Sequence, residues 1–169
     1  LPDHTGNVGM FSMANEPSLH IPYLYNYAGQ PWKTQKRIRV LLDQWFRNDL
    51  MGVPGDEDGG GMSAFVVFSM MGFYPVTPGS PTYNIGSPVF SDVKIDLGGG
   101  NVFEIVAEGA SHDNKYVQSV TLNGEKLDQP WFDHSRITAG GVLSLKMGPK
   151  ANKEWGVGNP PPSAGPMKE

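Results

Sequence analysis

Cysteine is absent from the 169-residue chain. That excludes disulfides, a thiolate nucleophile and Cys-ligated zinc, and leaves the redox compartment open. Long apolar runs are missing too: nothing approaches the ~18 residues a bilayer-crossing helix needs, so no membrane span is expected. The opening LPDHTGNVG has neither the basic nor the apolar region of a secretory signal, which leaves a cytoplasmic chain or one whose address was removed. Charge is scarce, with 18% charged residues against roughly 25% in average soluble domains, and the net charge of −4 argues against nucleic acid as a partner. There is no GxSxG elbow, no P-loop and no GxGxxG after a strand. Turn formers, in contrast, abound: 22 glycines and 15 prolines exclude a coiled coil or a simple helical bundle. With 38% hydrophobic residues the chain has material for a packed core.

Helical periodicity occupies residues 1–76 and period-two alternation residues 77–156, with a Pro/Gly-rich joint at Thr77–Pro81 and an extended tail over 157–169. This is an α-then-β pattern, an α+β fold. PWKTQKRIRVLLDQWFRND opens with Pro31 and spaces Ile38, Leu41, Leu42, Trp45 and Phe46 by threes and fours, predicting an amphipathic helix. LHIPYLYNYAG predicts a shorter helix with Leu19, Tyr23 and Tyr27 on one stripe and Pro22 in its first turn. MSAFVVFSMMG is apolar nearly all round, the pattern of a helix buried between others, and the helices in view are too few to surround it. Further on, VKIDL and VFEIVAEG flank Gly98–Asn101, and VQSVTLNGEKL carries Asn123-Gly124; both predict hairpins, with VLSLKM as another strand.

Chemistry concentrates in two loops that precede helices. In NEPS, Asn15 and Glu16 stand where a helix begins, so Glu16 reads either as a helix-opening device or as a carboxylate aimed into a cleft, with His20 one turn on to hold it. In GDEDGGGMS, Asp56, Glu57 and Asp58 sit between Gly55 and three glycines, which let the backbone approach a ligand closely. Asp, Glu and Asn oxygens without a His or Cys cluster suit a hard cation such as calcium, though the spacing is not that of an EF-hand. Carboxylates on separate loops also suit glycoside hydrolysis. Trp32, Tyr23, Tyr25 and Tyr27 are candidate sugar-stacking rings, with a core role for at least two of the tyrosines.

The strings NEPSLHIPYLYNYAGQPWKTQKRIR and GDEDGGGMSAFVVFSMMGFYPVTPGSPTYNIGSPVF closely resemble glycoside hydrolase family 92. The similarity runs from about Asp3 to Trp155, including TLNGEKL and NKEWG, and matches the C-terminal portion of that family. The resemblance implies the last helices of an (α/α)6 barrel followed by a small β-rich region. It implies a calcium-dependent, inverting exo-α-mannosidase acting on mannose-containing glycans, periplasmic or secreted, whose N-terminal remainder supplies the general acid. Asp58 is then the candidate catalytic base, with Asp56 its partner or alternative, and Glu57 the weaker choice. Asn15 and Glu16 are implied to line the sugar and calcium site. The residues alone would instead have named Glu16 as general acid. The sequence departs from the family pattern at Gly59 and Gly61, where Cys and Gln are common, at Ala14 and Leu19, where Gly and His are usual, and at Met10 and Met13 in place of polar residues. A non-catalytic structural or glycan-binding module is the alternative reading.

Overall fold

The computed structural model describes residues 6–163. Asp3, near which the family resemblance begins, and residues 164–169 of the expected tail lie outside them. A two-residue hairpin, β1 (Asn7–Val8) with β2 (Phe11–Ser12), leads into the NEPS segment. The next stretch departs from the expected single helix. Pro17 and Pro22 each open a 3-10 turn, Glu16–Ser18 and Ile21–Tyr23, and only Leu24–Tyr27 (α1) is α-helical. Proline fixes φ and removes an N–H, so each one starts a turn here and no helix runs through. Helix α2 (Pro31–Trp45) ends before Phe46, whose backbone is extended. Helix α3 (Gly61–Met71) stops at Gly72, at φ 105°, a conformation that glycine adopts without a Cβ penalty.

From residue 73 the chain is built of strands: β3 (Phe73–Tyr74), β4 (Thr82–Ile85), β5 (Asp92–Gly98), β6 (Asn101–Glu108), β7 (Tyr116–Leu122), β8 (Glu125–Lys126), β9 (Trp131–Asp133) and β10 (Gly141–Gly148), with a short helix α4 (His134–Thr138) between the last two. Five of them form a sheet of order β5-β6-β10-β7-β8, in which β6 and β10 run parallel and the remaining pairs antiparallel. Both expected hairpins form; Asn123 (φ 53°) and Gly124 (φ 82°) take the left-handed turn that two-residue hairpins favour. The other sheet has the order β3-β4-β9. Because β3 pairs with β4, the joint at Thr77–Pro81 is a hairpin loop.

Two cores result. Phe103, Ile105 and Ala107 alternate inward along β6 and meet Val117, Val120, Leu143 and Leu145 of the same sheet and Phe73, Ile85 and Phe132 of the smaller one. Met13, Leu19, Tyr23, Ile38, Leu41, Leu42, Met62 and Phe65 make the helical core. Helix α3 belongs to both, with Met62 and Phe65 in the helical core and Phe68 and Met71 against the β core. That double duty accounts for its all-round apolar sequence on two sides. On a third side Val67 remains 56% exposed.

Helix α2 carries a second buried face that its apolar spacing does not reveal. Gln35 Oε1 accepts the Val117 N–H at 3.1 Å, and the Arg39 guanidinium donates to Pro88 O at 2.9 Å and Ser111 O at 2.7 Å. Burial pulls the Arg39 pKa down, with Asp43 acting against it. Asn26 of α1 adds a third tie, its amide donating to Asn84 Oδ1 and to Ile85 O. Polar side chains of the helices thus satisfy backbone groups of the β-rich unit, as buried polar groups require.

Candidate functional site

Asn15 precedes the first 3-10 turn with an extended backbone (φ −140°, ψ 127°) and makes no side-chain capping bond. Glu16 is exposed, and among the described residues no hydrogen bond or ion pair engages its carboxylate. Its position is therefore not that of a capping device. His20 does not hold it: the imidazole lines a separate cleft with Tyr27 and Trp131.

The acidic triplet divides by backbone geometry. Glu57 turns back on α3, where its carboxylate accepts the backbone N–H groups of Gly60 and Ser63. Hydrogen bonds from Ser63 and the Gly60 amide hold its pKa below the ordinary glutamate value, as expected for a carboxylate at a helix N-terminus. Asp58 has φ 57° and is followed by Gly59 at φ 63° and Gly60 at φ 105°. Three left-handed residues in succession make a sharp turn, and Asp is among the few non-glycine residues that tolerate one. Asp56 and Asp58 are exposed.

The structure brings the two loops together through absent side chains. A Cβ on Gly55 would lie 2.6 Å from Ala14 Cβ, so the acidic loop touches the backbone just before NEPS at a distance that only glycine permits. A Cβ on Gly61 would lie 3.6 Å from Glu16 Cγ and 4.0 Å from Asp58 Cβ. Glu16 and Asp58 therefore converge over the first residue of α3. Sequence spacing alone contains no sign of this meeting; the glycines flanking the acidic triplet are its only trace.

The proposed stacking rings fare differently. Tyr23 is fully buried, donor or acceptor to Ser69 Oγ at 3.0 Å and stacked on Tyr74 with ring centroids 5.2 Å apart, so it is a core residue. Burial raises its phenol pKa well above the usual range. Tyr25 carries Lys33 Nζ 5.6 Å from its ring centroid, and the Tyr27 hydroxyl accepts from Asn84 at 3.3 Å. Trp32 is half-buried on α2. A small apolar cavity of about 200 Å³ lies between Phe11, Tyr25 and Leu41. For a metal, oxygen donors of the right kind are present in Asn15, Glu16 and Asp58, yet among the described residues no group of three His, Cys, Asp or Glu could hold an ion. Calcium takes six to eight oxygens, so these residues fit its chemistry and fall short of its shell.

The chain as a whole is similar to several known proteins. Residues 2–149 match the glycosyl hydrolase family 92 catalytic domain. An uncharacterized secreted glycosidase of the fungus Arthroderma benhamiae is 36% identical over 168 residues, which cover 96% of this chain and 22% of that protein. A family 92 α-mannosidase of Bacteroides thetaiotaomicron, solved in complex with mannoimidazole, superposes with a TM-score of 0.91 at 38% identity, covering 95% of this chain and 21% of that one. A family 92 inverting mannosidase of the same bacterium gives a TM-score of 0.80 at 41% identity over 85% of this chain and 20% of that one. The chain thus spans about a fifth of the length of these relatives. A mixed α/β chain matching the family over most of its length, at identities well above those that indicate fold alone, belongs to glycoside hydrolase family 92.

Proposed function

We propose that this chain is the C-terminal part of an inverting, calcium-dependent exo-α-mannosidase that hydrolyses α-mannosides of glycans, and that Asp58 is its catalytic base. The observation that carries the reading is the convergence of Glu16 and Asp58 over Gly61. An inverting glycosidase needs a carboxylate placed to deprotonate a water on one face of the sugar. Of the acidic triplet, Glu57 caps the start of α3 and Asp58 stands on a left-handed turn beside Glu16. Asp56 is its partner or alternative. Asn15 and Glu16 line the sugar and are candidate calcium ligands.

Calcium, when bound, would supply a hard Lewis acid for paired sugar hydroxyls. Its further oxygen ligands and the general acid would come from the N-terminal remainder of the same enzyme. In that reading residues 1–76 contribute the last helices of an (α/α)6 barrel, 77–156 a C-terminal β-rich region and 157–169 a tail. The exposed Val67 face of α3 supports a further helical neighbour. The location in this reading is periplasmic or secreted, and the description of the fungal relative as secreted supports the latter.

The test is mannose release from an α-linked mannobiose by the complete enzyme, with calcium and with chelator, followed by NMR of the first-formed anomer. Calcium-dependent release of the inverted anomer is the expected result. Retention of configuration, or release indifferent to chelator, would overturn the reading. The 169-residue chain alone is expected to release nothing, and calcium-dependent release by it would promote Glu16 to general acid. Glycan binding by a complete protein that cleaves no mannoside would favour the non-catalytic module.

A further inference from the structure

Asn123 and Gly124 turn β7 into β8 and are the only Asn-Gly pair in the chain. Glycine has no side chain to shield its main-chain nitrogen, which can therefore reach the Cγ of a preceding asparagine and close a cyclic imide. Neither burial nor crowding stands in the way here: both residues are exposed, and a Cβ on Gly124 would meet nothing within 4 Å. What restrains the asparagine is β10. Leu122 faces Leu143 in the ladder, so Asn123 falls opposite Val142. Such opposed residues can exchange two main-chain hydrogen bonds. One is present, the Asn123 N–H donating to Val142 O at 2.9 Å. The other is diverted to the side chain, the Val142 N–H donating to Asn123 Oδ1 at 2.8 Å. With Asn123 at φ 53° the main chain has left the extended form, and the side-chain oxygen stands in for its carbonyl. Gly141, at φ 125°, makes room for this: a Cβ there would overlap Oδ1 and lie 2.8 Å from both Cγ and Nδ2 of Asn123. The amide thus lies against a bare α-carbon.

We propose that Asn123 is a gated modification site: its amide is converted, through the imide formed with Gly124, to aspartate or isoaspartate when the Gly141–Val142 end of β10 lets go of it. Ring closure needs the amide to rotate until the Gly124 nitrogen faces Cγ. The Val142 hydrogen bond and the Gly141 contact both resist that rotation. In the step itself the Gly124 nitrogen bonds to Cγ and gives up its proton, and the Cγ–Nδ2 bond breaks as ammonia leaves. Water then opens the imide at one carbonyl or the other, with no oxidant or reductant involved. Opening toward aspartate leaves a carboxylate oxygen that still accepts from Val142. Opening toward isoaspartate carries the main chain through Cβ and Cγ, so the oxygen that held Val142 is no longer on a side chain and the latch is not remade. The gate is local, because Gly141 and Val142 precede the buried Leu143 and Leu145, and the end of a strand opens at lower free energy than its core.

The test holds the complete enzyme and a synthetic peptide of residues 116–126 at mildly alkaline pH and follows the tryptic fragment Tyr116–Lys126 by mass spectrometry for the exchange of amide for acid. Conversion in the folded enzyme is expected to be at least about 10-fold slower than in the peptide, which corresponds to a low free energy of local opening. Gly141→Ala, which evicts the amide, should bring the rate close to that of the peptide while the circular dichroism of the fold is kept. Should that variant fail to fold, the wild type decides: in urea below the unfolding transition, conversion should rise in step with hydrogen exchange at the Val142 N–H. Equal rates in enzyme and peptide overturn the proposal. So does a faster rate in the enzyme, the outcome if the Val142 N–H served the oxyanion of imide formation as a donor. A folded Gly141→Ala variant that converts no faster than wild type, or conversion indifferent to Val142 exchange, overturns it as well. The isoaspartate form, separated by chromatography, should show quickened exchange at Val142, and exchange as in the unmodified enzyme would remove the one-way step.

Discussion

Gly55 approaches Ala14 so closely that a β-carbon on it would sit 2.6 Å from Ala14 Cβ and 2.9 Å from Ala14 O. Its φ is 70°, where an L residue is strained even without the overlap. Gly55→Ala is therefore expected to cost about 1–3 kcal/mol of stability. Because the loop it displaces carries Asp56 and Asp58, mannoside turnover by the complete enzyme should fall by roughly 10–100-fold. Denaturant unfolding and turnover measured together check both. An unchanged midpoint would show that the two loops do not bear on each other.

Asp58 and Glu16 share the space over Gly61 and are assigned different work, so their variants should part company. Asp58→Asn removes the proposed proton acceptor and keeps the shape; turnover should drop by about 10²–10⁴-fold with the chain still folded. Glu16→Gln should shift the calcium titration of activity to higher concentration, again without loss of fold, since the side chain is exposed. Near wild-type turnover in the first variant, or an unmoved calcium titration in the second, would take that residue out of its role.

Glu57 should report on acid stability and not on chemistry. Its folded-state pKa is depressed by hydrogen bonds from Ser63 and Gly60, so the stability it contributes is fully present above the unfolded value of about 4.3 and is lost as pH falls through the folded one. Unfolding of the wild type and of Glu57→Gln, compared between neutral pH and pH ~3, should show a constant difference down to about pH 4.3 and a shrinking one below it. A difference that grows on acidification would contradict the capping assignment.

What the sequence discloses and what it hides follow from the range of the interactions involved. Local signals are legible: Pro31 opens α2, Gly72 closes α3, and Asn123-Gly124 turns its hairpin. The parallel pairing of β6 with β10 is not legible, because it joins residues far apart in sequence and has no turn motif of its own. Nor is the burial of Gln35 and Arg39, since polar residues on a helix read as its wet side until the β-rich unit lies against them. The site divides in the same way. The acidic loop announces itself through its glycines, while the approach of Glu16 to Asp58 depends on how α3 packs beneath NEPS. Which of the tyrosines belong to the core is not legible, because a buried tyrosine and a sugar platform look alike in sequence; the structure buries Tyr23.

Gln35 offers a direct measure of that hidden interface. Its Oε1 accepts the Val117 N–H, a buried main-chain donor in β7. Gln35→Leu keeps the volume and leaves the donor unpaired, which costs about 1–3 kcal/mol. The midpoint of unfolding should fall accordingly, and hydrogen exchange at Val117 should quicken more than at its neighbours. Uniform exchange would mean that water replaces the glutamine.

Gly60 and Gly61 stand side by side and should respond to the same substitution in opposite directions. Gly60 has open space around its α-carbon and φ 105°, so Gly60→Ala strains the backbone without touching anything and should cost about 1 kcal/mol. Gly61 is already helical, at φ −60° and ψ −47°. A β-carbon there meets Glu16 Cγ at 3.6 Å, an ordinary contact. Gly61→Ala should therefore stabilise α3 by about 0.5–1 kcal/mol, the usual gain on replacing a helical glycine. Gly61→Gln adds an amide beside Glu16 and Asp58. It should keep most of that stability and lower KM for the mannoside through an added hydrogen bond, with kcat moving less. If instead both alanine variants lose stability equally, the left-handed turn does not end at Gly60 and the meeting of Glu16 with Asp58 over Gly61 fails with it.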